Sequence, residues 1–246
     1  MRAFDLVIYD LDGTLVETAP EIADAVNDVL RHYGWPEAQE AEVARWIGHG
    51  TAALLLHAVA RGSGLNAAQL RDSQRMKEIT ALYDGFYNVR CGTRSRLYPG
   101  ARMTLAAFRT GGIRQAIVTN KESRYTERVL AIHDLANAVE RTISGDSLST
   151  KKPDPAGILA CLEEFAVAPE RALFVGDSSI DAATARNAGI PAWLLPHGYN
   201  MGEPVSQAGA ERVIDDFAQL QALVLGERGS PGGADGVQRL ANSEAG

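Results

Sequence analysis

Short apolar runs alternate with longer amphipathic stretches along most of this chain. The runs at residues 4–9, 114–119, 139–144, 172–175 and 192–195 have the length and aliphatic character of strands, and residues 212–214 offer a short edge. Between them, residues 101–110, 122–132, 155–166, 179–188 and 216–225 carry helical spacing. Strands separated by helices of this length imply right-handed βαβ units. The expected fold class is therefore α/β, a doubly wound parallel sheet covered on both faces. Ligands of such sheets bind at the carboxyl ends of the strands, where the loops emerge.

Residues 18–97 break that rhythm. Ile22, Ala25, Val26, Val29 and Leu30 follow the i, i+3, i+4, i+7, i+8 pattern of an amphipathic helix. Leu54, Leu55, His57 and Ala58 form a second helical segment after Gly48-His49-Gly50, and Met76, Ile79, Tyr83, Phe86 and Tyr87 a later one. No strand pattern stands out. The reading is an all-helical insertion with a small core of its own, which leaves the α/β domain just after Asp12 and returns at Tyr98-Pro99-Gly100. Residues 1–17 and 98–226 then make the α/β core and residues 18–97 the inserted domain, well placed to act as a lid. Residues 227–246 contain five glycines, a proline and few large apolar groups, a composition expected to stay disordered.

Composition adds exclusions. A formal net charge of −7 argues against general nucleic-acid or anionic-membrane binding, although local lysines and arginines still suit an anionic substrate. Cys91 and Cys161 are the only cysteines, too few and too far apart for a disulfide framework or a metal motif. No apolar stretch is long enough to span a bilayer, and Arg2 and Asp5 flank a strand instead of a signal-peptide core. A reducing, cytoplasmic location is expected.

Chemistry gathers at the strand ends. Asp10-Leu11-Asp12-Gly13-Thr14 follows the run Leu6-Val7-Ile8-Tyr9. Alternation along extended backbone sends Asp10 and Asp12 to the same side, and Gly13 permits a sharp turn. Two adjacent carboxylates repel unless a cation lies between them or one takes a proton. The strand at 114–119 ends in Thr119-Asn120-Lys121, where a hydroxyl and backbone N–H groups suit a phosphate oxygen, or simply cap the next helix. Lys151-Lys152-Pro153-Asp154-Pro155 sets a lysine beside a proline before a helix, equally a phosphate ligand or a solvated pair. Gly176-Asp177-Ser178-Ser179-Ile180-Asp181 again ends an apolar strand in an acid, with Asp181 one helical turn on. Asp177 and Asp181 separately suit an N-cap and a first-turn charge. The repeated strand-then-acid pattern also suits Mg²⁺, which takes a few carboxylate oxygens and keeps several waters.

Taken together, the four signals resemble the motif set of the haloacid dehalogenase superfamily, over residues 4 to about 225. The helical insert looks like that family's C1 cap. The resemblance implies Asp10 as nucleophile, forming an aspartyl-phosphate, and Asp12 as general acid and base. It implies phosphate binding by Thr119, Asn120 and Lys152. Mg²⁺ would be held by Asp10, Asp12 (through its carbonyl) and Asp177, with Asp181 and Ser178 in support.

A narrower resemblance, to bacterial phosphoglycolate phosphatases, rests on residues 43–50, Val118-Thr119-Asn120-Lys121, the Lys152-Pro153 segment and the run from His197 to Pro204. Glu17 and the polar tail depart from that pattern. It implies a small phosphorylated carboxylate, 2-phosphoglycolate, as substrate. The candidates to read its carboxylate are Arg45 beside Trp46, His49, and the group Arg90, Arg94 and Arg96. Oligomeric state is left open. Dehalogenation is disfavoured by Asp12 and Asp177. Phosphonatase chemistry is disfavoured because Lys77 is the only lysine between residues 18 and 97. A β-phosphoglucomutase-like transferase shares the core motifs, and a silent binding module would have lost one of the motif carboxylates.

Overall fold

The structure, a computed structural model, describes residues 3–66, 70–71 and 73–226, so the expectation for residues 227–246 lies outside the described residues. Six parallel strands form the main sheet: β1 (Leu6–Tyr9), β4 (Arg114–Val118), β5 (Arg141–Ile143), β6 (Ala172–Gly176), β7 (Ala192–Leu194) and β8 (Arg212–Val213). Their order is β5-β4-β1-β6-β7-β8. The chain builds outward from β1 on one side and then on the other, so the topological switch point falls at the carboxyl end of β1, between β4 and β6. That is where residues 10 to 14 emerge.

Every residue of β1 is buried, as a central strand covered on both faces requires. The strand period of two divides its side chains between two cores. Leu6 and Ile8 pack with Ala116, Phe174 and Leu194 under α7 (Ala156–Phe165) and α8 (Ser179–Ala188). Val7 and Tyr9 pack with Ile117, Leu173 and Trp193 under α5 (Ala101–Thr110), α6 (Ser123–Ile132) and α9 (Phe217–Leu225). The second core runs on without a break into the inserted helices. Doubly wound α/β architecture is therefore what the strand and helix spacing encodes.

The insertion comprises α1 (Ala19–His32), α2 (Glu40–Ala44), α3 (Thr51–Ser63) and α4 (Gln74–Arg90) among the described residues. The apolar stripe Ile22, Ala25, Val26, Val29 and Leu30 is buried, and α1 packs most extensively on α4. One sequence reading needs correction. The stretch 18–97 is not free of strand, because β3 (Arg96–Leu97) pairs antiparallel with β2 (Val16–Glu17) as a ribbon at the two crossings into the insertion. Two-residue strands are too short to carry an alternation signal.

A buried carboxylate holds the return crossing. Glu21 is fully buried, and its Oε2 accepts the backbone N–H groups of Gly92 at 2.8 Å, Ser95 at 3.0 Å and Arg94 at 3.3 Å. The Tyr87 hydroxyl donates to Oε1 at 3.4 Å. An acid one turn into α1 thus caps the loop that closes the insertion. Removing it would leave buried N–H groups without partners, a cost of about 1–3 kcal/mol each. Glu21→Ala is therefore expected to lower the melting temperature by roughly 6–12 °C, for a loss of about 3 kcal/mol. An unchanged melting curve would show that the loop does not depend on this anchor.

Candidate active site

Gly13 has φ +87°, and its Cα lies so close to the Asp177 carboxylate and the Tyr199 ring that a side chain there would collide with both. Gly198 approaches Asp177 in the same way from the loop after β7. Glycine at these two positions lets the β1 and β7 loops close on the end of β6. Three carboxylates meet there. Asp10, Asp177 and Asp181 each place an oxygen within 4.8 Å of the others, all buried.

Each acid is held differently. Asp10 Oδ1 accepts the Leu11 N–H at 2.7 Å and pairs with Lys152 Nζ at 2.8 Å. Both contacts end on Oδ1, which leaves Oδ2 to the cavity that Asp10 lines. Asp177 accepts the Thr14 hydroxyl at 2.6 Å on Oδ1 and the Tyr199 N–H at 2.8 Å on Oδ2. Asp181 is the most heavily committed. Its Oδ2 accepts the N–H groups of Asp177 and Ser178 at 3.1 Å and the Ser178 hydroxyl at 2.8 Å, while Oδ1 takes Lys152 at 2.7 Å. Lys152 thus bridges Asp10 and Asp181, and its peptide bond to Pro153 is cis.

One ammonium does not balance three carboxylates. At 4.8 Å a like-charge pair costs about 3.5 kcal/mol at an effective dielectric near 20. Burial lifts the Asp10 carboxyl to about 6 against the pull of Lys152, with Asp181 adding to the rise. Burial, then Asp181 and Asp10, raises Asp177 well above the usual carboxylate range. Hard oxygen donors that resist losing their protons are a donor set suited to a divalent cation.

Comparison with known proteins decides the family. A family profile described as haloacid dehalogenase-like hydrolase matches residues 7–194. The chain belongs to the haloacid dehalogenase-like hydrolases. Among curated members, the phosphoglycolate phosphatase of Vibrio cholerae serotype O1 is 36% identical over 228 residues, covering 92% of this chain and 99% of that protein. The Pseudomonas putida phosphoglycolate phosphatase is 36% identical over 221 residues, covering 90% and 79%. A crystal structure described as a predicted phosphoglycolate phosphatase from Haemophilus somnus superposes with a TM-score of 0.83 at 32% identity, covering 89% and 97%. These relatives set this hydrolase among the phosphatases of the family.

The hydrolase's cavity opens beside Asp10 and Asp12, between the sheet rim and the inserted helices. Asp10, Asp12, Thr119, Asn120 and Lys121 form its floor, and Ile22, Ile47, Leu54, Tyr83 and Tyr87 face them. Asp12 Oδ1 accepts the Thr18 hydroxyl at 2.8 Å. Thr119 accepts the Lys121 N–H at 3.3 Å, which leaves its own hydroxyl hydrogen to donate elsewhere. Asn120 sits at the floor as well, yet both of its N–H donors are spent, on the carbonyls of Gly48 at 2.9 Å and Lys152 at 3.0 Å. As placed, Asn120 clamps the cap loop to the core, and its Oδ1 is buried without a partner.

The expected carboxylate readers lie elsewhere. Arg94 pairs with Asp24 at 2.9 Å and Glu40 at 3.2 Å on the surface, Arg90 with Asp28 at 2.8 Å, and Arg96 stands opposite Glu17 in the ribbon. Arg45 lays its stem against Gly202, and Trp46 stacks on His57. His49 lines a separate open groove on the cap, between α3 and α4.

What sequence reasoning missed is Lys121 with Tyr87. The Lys121 ammonium reaches both oxygens of Asp12, at 3.1 and 3.2 Å, and donates to the Tyr87 hydroxyl at 2.7 Å. Burial is the largest single influence and works against its charge, but Asp12, Cys91 and Glu21 together outweigh it, and its pKa is raised. Tyr199 was also overlooked as a scaffold: besides its N–H bond to Asp177, its hydroxyl accepts the N–H groups of Thr18 and Ala19, at 2.8 and 2.9 Å, at the start of α1. The only local signals were a lysine just past a strand end and a tyrosine in the quoted 197–204 run. Their partners are far away in sequence.

Crowded acids give a stability signature. Raised carboxyl pKa values mean that the folded chain keeps protons the unfolded chain has lost, so metal-free stability falls as pH climbs from about 4 through about 6. Asp177→Asn is therefore expected to raise the melting temperature of the metal-free protein near pH 8 and to leave it unchanged below about pH 4. A divalent cation at about a hundredfold over its Kd should stabilise the wild type by about 2.7 kcal/mol, roughly 5–10 °C, and Asp177→Asn much less. An equal cation response in both proteins would contradict the assigned donor set.

Proposed function

We propose that this hydrolase is a Mg²⁺-dependent phosphomonoesterase that works through an aspartyl-phosphate and takes 2-phosphoglycolate to glycolate and phosphate. The convergence of Asp10, Asp177 and Lys152 at the switch point of the sheet, beside a cavity lined by Asp10, carries the reading. Asp10, Asp177 and the carbonyl of Asp12 would hold Mg²⁺, with Asp181, itself held by Ser178, fixing the Asp177 backbone in place. The ion supplies charge neutralisation to the phosphoryl oxygens and to the crowded acids.

Asp10 Oδ2 attacks phosphorus, the ester oxygen leaves, and Asp10 carries the phosphoryl group. Asp12, oriented by Thr18 and Lys121, gives the leaving oxygen its proton and then takes one from the water that attacks the phosphoaspartate. Lys152 and the Thr119 hydroxyl oppose the charge on the transferring oxygens, so most of the acceleration comes from positioning and electrostatics. Residues 18–97 serve as the cap that excludes bulk water, over a core of residues 1–17 and 98–226. Relatives named for phosphoglycolate, over nine-tenths of the chain, support the substrate. Buried free thiols at Cys91 and Cys161 fit a reducing, cytoplasmic setting, and no described helix is long and apolar enough to cross a membrane.

Asp12→Ala is expected to lower kcat/KM for 2-phosphoglycolate by about 10²–10⁴, and also to lower the melting temperature, because the buried Lys121 ammonium loses its carboxylate. Asp10→Asn should leave no turnover. Steady-state kinetics with Mg²⁺ on a panel of phosphomonoesters, including β-glucose 1-phosphate, checks both claims and the substrate. Activity retained in Asp10→Asn would overturn the nucleophile, and a flat substrate profile would remove 2-phosphoglycolate. Phosphoryl transfer to sugar faster than to water would make the enzyme a phosphotransferase.

A further inference from the structure

Charged side chains around the cavity are few. Asp10, Asp12 and Glu122 are acidic, and among the described residues Lys121 is the only cation that lines it. Lys152 lies below the floor, with its ammonium committed to Asp10 and Asp181 at 2.8 and 2.7 Å. The wall opposite carries no charge: Ile22, Ile47, Thr51, Leu54, Tyr83 and Tyr87 line it. A substrate with a second anionic group beyond its phosphate therefore meets one complementary charge along the cavity wall.

We propose that Lys121, steadied by the Tyr87 hydroxyl, is the specificity residue that binds the substrate's second anionic group, a carboxylate on the carbon next to the ester oxygen. The inference rests on the phosphatase reading above and deepens it. Its first support is position. The leaving oxygen must come within about 3 Å of Asp12 to take a proton, and Lys121 Nζ is 3.1 Å from Asp12 Oδ1. A carboxylate one carbon away from that oxygen falls within the same ammonium's reach.

The second support is bond quality. Charge-assisted N–H···O contacts run at about 2.7–2.9 Å. Lys121 meets that standard with Tyr87 at 2.7 Å but reaches the two Asp12 oxygens only at 3.1 and 3.2 Å. Two of its three donors thus share one carboxylate at long range. One is available to a second anion without breaking the tie that orients Asp12. Tyr87 comes from the inserted helix α4 and Lys121 from the loop after β4, so the pair joins the insertion to the α/β core. Arg94, paired on the surface, and Arg45, exposed with its stem beside Gly202, do not line the cavity and have no such access.

The test compares 2-phosphoglycolate with its neutral counterpart of similar size, 2-hydroxyethyl phosphate, in wild type and Lys121→Met. Wild type is expected to prefer the carboxylate by at least about thirtyfold in kcat/KM, and Lys121→Met to bring the ratio within about threefold of one. Both substrates should lose rate because Lys121 also orients Asp12, but the carboxylate substrate should lose at least about tenfold more, through KM as well as kcat. An equal loss on both substrates would show that Lys121 acts only by orienting Asp12, and would overturn the proposal. So would a wild type without preference, a result that needs no variant. Should Lys121→Met not fold, Lys121→Gln keeps a hydrogen-bond donor toward Tyr87 and drops the charge, with the same expected collapse. A wild type that favours a different 2-phospho-carboxylate, with that preference lost in the variant, would remove the named substrate and leave the role of Lys121 standing. A preference for 2-phosphoglycolate that persists in the variant would overturn the role of Lys121 alone.

Discussion

Three buried carboxylates share one strand rim with one ammonium to balance them, and much of the molecule is arranged around that imbalance. The strands β1 and β6 lie side by side, so Asp10 and Asp177 leave the sheet together. Gly13 and Gly198 remove the side chains that would keep the loops apart. Asp181 spends its oxygens on the Asp177 and Ser178 backbone and on Lys152, which makes it a brace for Asp177 and, through Lys152, for Asp10. Left without a cation, Asp10 and Asp177 hold their protons more tightly than free carboxylates do. That cost is the physical basis for metal dependence in the proposed mechanism.

The cap is joined to this rim at the level of single atoms. Asn120 ties the Gly48 carbonyl to the core, and Lys121 ties Tyr87 to Asp12. The Tyr87 hydroxyl also reaches Glu21, which anchors the loop by which the chain leaves the cap. A continuous line of hydrogen bonds thus runs from Asp12 to the crossing between the two parts. Tyr199 makes a second connection, from Asp177 to the first residues of α1. The seating of the inserted helices and the arrangement of the acids are therefore set by the same contacts, which suits the proposed mechanism, in which water is excluded before an acyl phosphate forms.

The parts of the site legible in the sequence were those with local causes. Asp10, Asp12 and Asp177 stand where an apolar strand runs out, and alternation in the strand together with the doubly wound order brings those ends to one rim. The stripe on α1 likewise follows from its own spacing. Other features had no local cause. Tyr87 reads as one more apolar position on an amphipathic helix until its hydroxyl is seen between Lys121 and Glu21. Glu21 looks like a favourable first-turn charge, not a buried cap for residues 92–95. Arg94 looked available as an anion ligand, but its partners Asp24 and Glu40 are brought to it only by the packing of α1 and α2. The β2–β3 ribbon was too short to show at all.

The proposed double displacement is tested most directly by the stereochemical course at phosphorus, using a substrate made chiral with oxygen isotopes. Each in-line displacement inverts configuration. Attack by Asp10 followed by attack of water should therefore yield phosphate with overall retention. Overall inversion would mean that water attacks the ester in one step, and would contradict Asp10 as the nucleophile.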